Sequence, residues 1–268
     1  MASPGFGALG MSKAAPLLDV AGVGVRFGGI VALKDVTFSL AAEKICGLIG
    51  PNGAGKTTLF NCLSRLYDVS AGSITFAGQS LLGLRRHDIA KLGIARTFQN
   101  VALFDEMSVL ENVMVGAHGM GRAGFITAAL RSRSERAEEK IILERAESLV
   151  EEFGLGTVAS RAVGQLPFGM RKRVEMARAL AMNPRLLLLD EPAAGLNHEE
   201  VESLITEIRA IRDRRKVAVL LVEHHMNLVM RVSDQVVALN FGRVIADGTP
   251  AHVQADAQVL KAYLGDDA

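Results

Sequence analysis

An α/β fold, a parallel sheet covered by helices and interrupted by an inserted helical lobe, is predicted by three features of this 268-residue chain. From Arg185 onward, continuous apolar runs alternate with amphipathic segments such as Glu199 to Ile211, the pattern of strands buried on both faces with helices packed over them. Earlier, Lys44 to Ile49 reads as a short buried strand and Thr58 to Leu63 has helical spacing, with a glycine-rich loop between them. Between about Glu111 and Leu180 the periodicity is helical. It is clearest at Ile142, Ala146, Leu149, Val150 and Phe153, which share one face of a helix begun near Ser134.

The remaining elements follow in chain order. Residues Met1 to Pro16 are rich in Ala, Gly, Ser and Pro and lack a basic start followed by an apolar run, so they read as a loose leader (1–16) before a single domain (17–268). Leu17 to Val25, Val36 to Leu40 and Ser73 to Phe76 carry apolar or β-branched residues bounded by Gly and Asp, and are expected as strands. A hydrophobic content of 49% suffices for a core of this size. Cys46 and Cys62 fall in the strand before the loop and the helix after it, with no metal-like spacing, and read as reduced, packed thiols. The longest apolar runs, Leu186 to Leu189 and Val217 to Val222, fall far short of the ~20 residues that span a bilayer. Any membrane role must therefore come through a partner. A net charge of +1 offers no general attraction to nucleic acid, and the clusters Arg131/Arg133/Arg136 and Arg212/Arg214/Arg215/Lys216 read as solvated faces.

The chemistry is concentrated in Gly50-Pro51-Asn52-Gly53-Ala54-Gly55-Lys56-Thr57, which fits the phosphate-loop pattern of a glycine, four residues, then Gly-Lys-Thr. Gly50, Gly53 and Gly55 let the backbone curl so that successive N–H groups face one anionic point, and the following helix adds the positive end of its dipole. Lys56 is expected to reach the β and γ phosphates of a nucleoside triphosphate, the Thr57 hydroxyl to ligate Mg²⁺, and Thr58 to meet a further phosphate oxygen.

Leu186-Leu187-Leu188-Leu189-Asp190-Glu191 is a buried strand ending in two carboxylates, at the sheet edge where open α/β folds bind ligands. Asp190 is placed to hold Mg²⁺ through water, and Glu191 to polarise the water that attacks the γ-phosphate. A second buried strand ends at Glu223-His224-His225, and spacing alone does not choose which imidazole serves the γ-phosphate or the attacking water. Gln99 follows another short strand and is suited to sensing metal and water through its amide. Phe27, before Gly28-Gly29, is an aromatic that either stacks on a base or joins the core.

Taken in order, the phosphate loop, Gln99, Leu166-Pro167-Phe168-Gly169-Met170 before an Arg-rich helix, Leu189-Asp190-Glu191-Pro192 and His224 resemble the ATP-binding-cassette (ABC) ATPases over nearly the whole chain. The resemblance implies a phosphate-loop NTPase core with a mixed sheet (17–100 and 181–268), an N-terminal antiparallel β region, and a helical subdomain at about 101–180. It also implies ATP and Mg²⁺ as ligands, Phe27 as the adenine-stacking aromatic, Gln99 as the glutamine loop and His224 as the switch histidine. Two cassettes would meet head to tail, with Gly169 of the signature segment serving the partner's nucleotide in trans.

Finer features are similar to the ATPase subunits of branched-chain amino acid importers: Phe27-Gly28-Gly29, Glu191-Pro192-Ala193-Ala194-Gly195-Leu196-Asn197, Glu223-His224-His225-Met226, and the tail Asp247-Gly248-Thr249-Pro250 through Ala262-Tyr263-Leu264-Gly265. This implies a peripheral protein on the cytoplasmic face, two transmembrane permeases, a second ATPase forming a homo- or heterodimer, and an extracytoplasmic binding protein. Relatives of similar appearance handle urea, amides or aromatic acids, and other cassettes act outside transport. The signature segment departs from the usual Leu-Ser-Gly-Gly-Gln. Pro167 replaces a serine and supplies neither hydroxyl nor N–H, while Gly169 keeps its N–H and the helix expected to open near Met170 keeps its dipole.

Overall fold

The continuous apolar runs become the middle of a six-stranded mixed sheet. The computed structural model describes residues 15–97, 102–118 and 133–264. In chain order this sheet contains β3 (Ile45–Ile49), β6 (Ile94–Arg96), β7 (Leu186–Asp190), β8 (Ala218–Val222), β9 (Gln235–Asn240) and β10 (Arg243–Gly248). Their spatial order is β10-β9-β3-β8-β7-β6, parallel except for β10, which runs antiparallel to β9. Every residue of β3, β7 and β8 is buried, as expected of strands covered on both faces.

Alternate residues of these strands feed two cores. Ile45, Leu187, Leu189, Val219 and Leu221 face the helical lobe formed by α3 (Val109–His118), α4 (Arg133–Glu152) and α5 (Phe168–Leu180), together with α6 (His198–Arg215) and α7 (Met226–Val232). Cys46, Leu48, Leu186, Leu188 and Leu220 face α1 (Lys56–Leu63), α2 (Arg86–Lys91) and a second, antiparallel sheet. That second sheet has the order β2-β1-β4-β5 and is built from β1 (Leu18–Phe27), β2 (Ile30–Leu40), β4 (Ala71–Phe76) and β5 (Gln79–Ser80). One face of the main sheet is thus covered by helices and the other partly by strands, where the sequence pattern had implied helices on both.

Local differences have local causes. The strand expected at Val36 to Leu40 begins earlier, at Ile30, because a bulge absorbs the polar interruption: Val23 pairs with Val36, Val25 with Leu33, and Asp35 takes φ 57. The helix expected near Ser134 is α4, and Ile142, Ala146, Leu149, Val150 and Phe153 are all buried. The signature helix opens at Phe168 rather than Met170, with Pro167 as its N-cap. The β9–β10 hairpin was not anticipated, although its two-residue turn, Phe241-Gly242 at φ 44 and 74, has the double positive φ that such hairpins require. At the C-terminus, α8 (Pro250–Ala255) and α9 (Ala257–Leu264) seat Val253 and Val259 in the first core. Cys46 and Cys62 are buried and free, and burial pushes the Cys62 thiol up to about 11, well away from reactivity at neutral pH. Among the described residues, no helix is long and apolar enough to cross a membrane.

Candidate functional site

The loop between β3 and α1 owes its shape to its glycines. Gly50 adopts φ 149, and a Cβ there would lie 2.2 Å from the Leu239 carbonyl oxygen. Gly55, at φ 103, would place one 2.9 Å from the Ala32 oxygen. No side chain fits at either position. Gly53 is different: a Cβ would meet nothing within 4 Å, so the side of the loop above it is open.

The first intrahelical bond of α1 runs from Leu59 N–H to the Gly55 oxygen. The N–H groups of Lys56, Thr57 and Thr58 therefore have no acceptor within the helix, and the first turn carries no acidic side chain. A helix end in that state attracts an anion. Lys56 is buried, and its Nζ donates to the oxygens of Gly50 at 2.6 Å and Pro51 at 3.1 Å, which folds the side chain back over its own loop. Burial lowers the ammonium from the usual lysine value, and the Glu191 carboxylate acts against that fall. Asn52 through Thr58 line a cavity of about 350 Å³ whose remaining wall is made by Ile30, Val31, Ala32, Phe241 and Glu191. Its donors suit a phosphate. The Thr57 hydroxyl and the carboxylates at the end of β7 are hard oxygen ligands that suit Mg²⁺.

Glu191 follows β7 directly and takes φ 48, a strained backbone for a non-glycine residue. It is held there by its N–H donating to the Val222 oxygen (2.9 Å) and its carbonyl accepting from Ala194 N–H (3.1 Å). Asp190 is buried, and its Oδ2 accepts from Arg96 Nη2 at 2.7 Å. The same guanidinium donates through Nη1 to Asn61 Oδ1 (2.9 Å) and Ser64 Oγ (3.0 Å), so one arginine on β6 joins the acid strand to the end of α1. Sequence reasoning assigned Arg96 no role.

At the end of β8, Glu223 is fully buried. Its Oε1 accepts from Ala193 N–H at 2.7 Å, and its Oε2 from the N–H groups of His224 (3.1 Å) and His225 (3.3 Å). This carboxylate ties the segment after Glu191 to the histidine turn. Although Glu223, His224 and His225 bring three ligand atoms within 4.8 Å, the carboxylate's oxygens are already occupied by backbone donors. His225 Nδ1 also lies 3.3 Å from Glu223, while the His224 ring is exposed beside it at a centroid separation of 4.5 Å. Neither ring lines the cavity.

Phe27 ends β1 half-exposed, with its ring edge-on to Tyr67 at 5.0 Å; the aromatic that lines the cavity is Phe241, 86% exposed and unnoticed in the sequence. Gly169 lies in the first turn of α5, packed so tightly on the start of α6 that a Cβ would come 2.4 Å from Glu200 Oε1. Glu200 is itself fixed in a capping box with Asn197. Gln99 lies outside the described residues.

A glycine-shaped phosphate cradle after β3, the acid-tipped β7 lying beyond β8 in the same sheet, and a helical lobe on one sheet face make up a nucleotide-hydrolysing cassette. The family model described as ABC transporter matches residues 33–194, and the chain belongs to that family as one of its ATP-binding, ATP-hydrolysing subunits. A second model, branched-chain amino acid ATP-binding cassette transporter, matches residues 243–268. The chain is 43% identical over 94% of its length to the high-affinity branched-chain amino acid transport ATP-binding protein BraF of Pseudomonas aeruginosa, covering 98% of that protein. It is 42% identical, with the same coverage of both chains, to the corresponding protein LivG of Escherichia coli. A crystal structure of the ADP conformation of an ATP-binding cassette of an ABC transporter superposes with a TM-score of 0.82 at 27% identity, over 94% of this chain and 100% of that one.

Proposed function

We propose that this chain energises an importer of branched-chain or related amino acids, working as one of two head-to-tail cassettes docked on two membrane permeases at the cytoplasmic face. The observation that carries the hydrolytic reading is that the glycine cradle, Lys56 and Glu191 line one cavity together. In this reading Gly50, Pro51 and Asn52 shape the loop, the amides from Gly53 to Thr58 hold the phosphates, and Lys56 swings from the Gly50 and Pro51 oxygens to the β and γ phosphates. Thr57 directly, Asp190 through water, and Gln99 would hold Mg²⁺, which neutralises charge developing on the phosphates. Arg96 engages Oδ2 of Asp190, so the other carboxylate oxygen would be the one to serve the ion through water. Glu191 polarises the attacking water, while His224 and Phe27, which stand outside the cavity lining, would have to move onto the γ-phosphate and the adenine when nucleotide binds.

The lining of the cavity also supports pairing. Among the described residues none from α5 contributes to it, consistent with Gly169 of a second cassette closing the site in trans. An identical or related ATPase fills that role, and an extracytoplasmic binding protein delivers the cargo to the permeases.

Lys56→Ala is expected to weaken a fluorescent ATP analogue about 10- to 100-fold, the loss of charge-assisted bonds to phosphate. The cargo is tested in cells lacking this gene: the intact chain should restore uptake of labelled leucine and the Lys56→Ala chain should not. Leucine uptake that survives deletion, with loss of urea, amide or aromatic acid uptake, would move the assignment to a related importer.

A separate expectation concerns the signature segment. Pro167 caps α5 without a side-chain acceptor or an N–H. Pro167→Ser supplies both a hydroxyl and an N–H facing the partner's nucleotide, and should raise ATP turnover in the assembled complex. An unchanged or lower rate would reject this account of the departure.

A further inference from the structure

We propose that Tyr263, on the C-terminal helix α9, is a positioning residue for the phosphate loop: its hydroxyl holds Gly50 in the orientation from which Lys56 is presented to the nucleotide. The inference rests on the nucleotide reading above and assigns a task to the tail segment that the second family model matches.

The last ladder pair of β3 is Ile49 with Ala238, so the Gly50 N–H lies just beyond the sheet and has lost its strand acceptor. Tyr263 Oη supplies one at 2.7 Å. On the other side of the same residue, the Gly50 carbonyl accepts from Lys56 Nζ at 2.6 Å. Gly50 is therefore gripped at both its N–H and its C=O, in a conformation at φ 149 that the Leu239 carbonyl makes inaccessible to any larger residue. Pro51 follows and brings no N–H that might anchor the loop instead. The Tyr263 bond is accordingly the point at which the tail sets the start of the loop.

The support behind Tyr263 is firm. Asp256 Oδ1 accepts from the N–H groups of Gln258 (2.8 Å) and Val259 (3.2 Å), fixing the start of α9, and Val259 is buried in the core. Burial raises the phenol above its ordinary value, so the hydroxyl stays protonated and neutral through the physiological range. Beside that bond there is open space between the loop and α9. A cavity of about 450 Å³ separates them, lined by Pro51, Asn52 and Ala54 on the loop and Lys261 and Ala262 on the helix. The Tyr263 hydroxyl is thus a point contact from the helix to the start of the loop, and losing it should be felt in the loop and not in the core.

Tyr263→Phe in the full chain removes that one contact. Titration with a fluorescent ATP analogue should give a Kd raised about threefold to tenfold, the range expected for one lost orienting hydrogen bond. In steady-state turnover, KM should rise by a similar factor while kcat stays within about twofold, since bound substrate and transition state lose the same support. The melting temperature should hold, and hydrogen exchange at the Gly50 amide should quicken. Normal analogue binding by the unsubstituted chain together with an unchanged Kd in Tyr263→Phe overturns this inference alone. Failure of the unsubstituted chain to bind the analogue overturns the nucleotide reading and this inference with it.

Discussion

Replacing Glu191 with glutamine should cut ATP turnover about 10²- to 10⁴-fold while ATP remains bound, the usual scale for losing a general base. The isostere should sit where the acid sits, because the backbone is held on both sides, Glu191 N–H to the Val222 oxygen and Glu191 carbonyl to Ala194 N–H. What changes is the chemistry at the side-chain tip. A neutral amide cannot draw a proton from water as a carboxylate does. Binding should survive because Lys56, the loop amides and the start of α1 are untouched, and removing a negative charge near the triphosphate relieves repulsion. Phosphate release and analogue titration on the same preparation provide the check. If binding falls as far as turnover, Glu191 is holding the nucleotide rather than activating water.

Arg96→Met should lower stability by about 3–5 kcal/mol, because it strands the Asp190 carboxylate without its partner inside the protein. Both side chains are nearly inaccessible, at 9% and 7% relative exposure, and the guanidinium also serves Asn61 and Ser64. Methionine preserves most of the packed stem, so the loss isolates the charge and its hydrogen bonds. For a domain of this size the melting temperature should drop by about 10 °C. Pairing the change with Asp190→Asn should recover part of the loss, since neither member of the pair then leaves a buried charge. A single variant that melts with the unsubstituted protein would show the pair to be dispensable.

Phosphate loop, acid pair and buried strands were legible because each is written in neighbouring residues. Gly50, Gly53 and Gly55 bend the backbone wherever they stand, and Leu186 to Leu189 demand burial whatever strands flank them. The bulge at Asp35 and the early start of α5 were harder to see, since a polar pair inside a strand and a proline before a helix look like breaks when only the local pattern is read.

The amino-acid order by itself determined the chemistry on offer: a curled anion cradle, a lysine, two acids at a strand tip and histidines at the next. The tertiary structure alone decided which distant groups discipline them. Arg96 meets Asp190 across 94 positions, Glu223 reaches Ala193 across 30, and Tyr263 meets Gly50 across 213. Those meetings follow from the order in which the sheet lays β9, β3, β8, β7 and β6 side by side. Strand order is a property of the whole packed core, and no short window of sequence contains it.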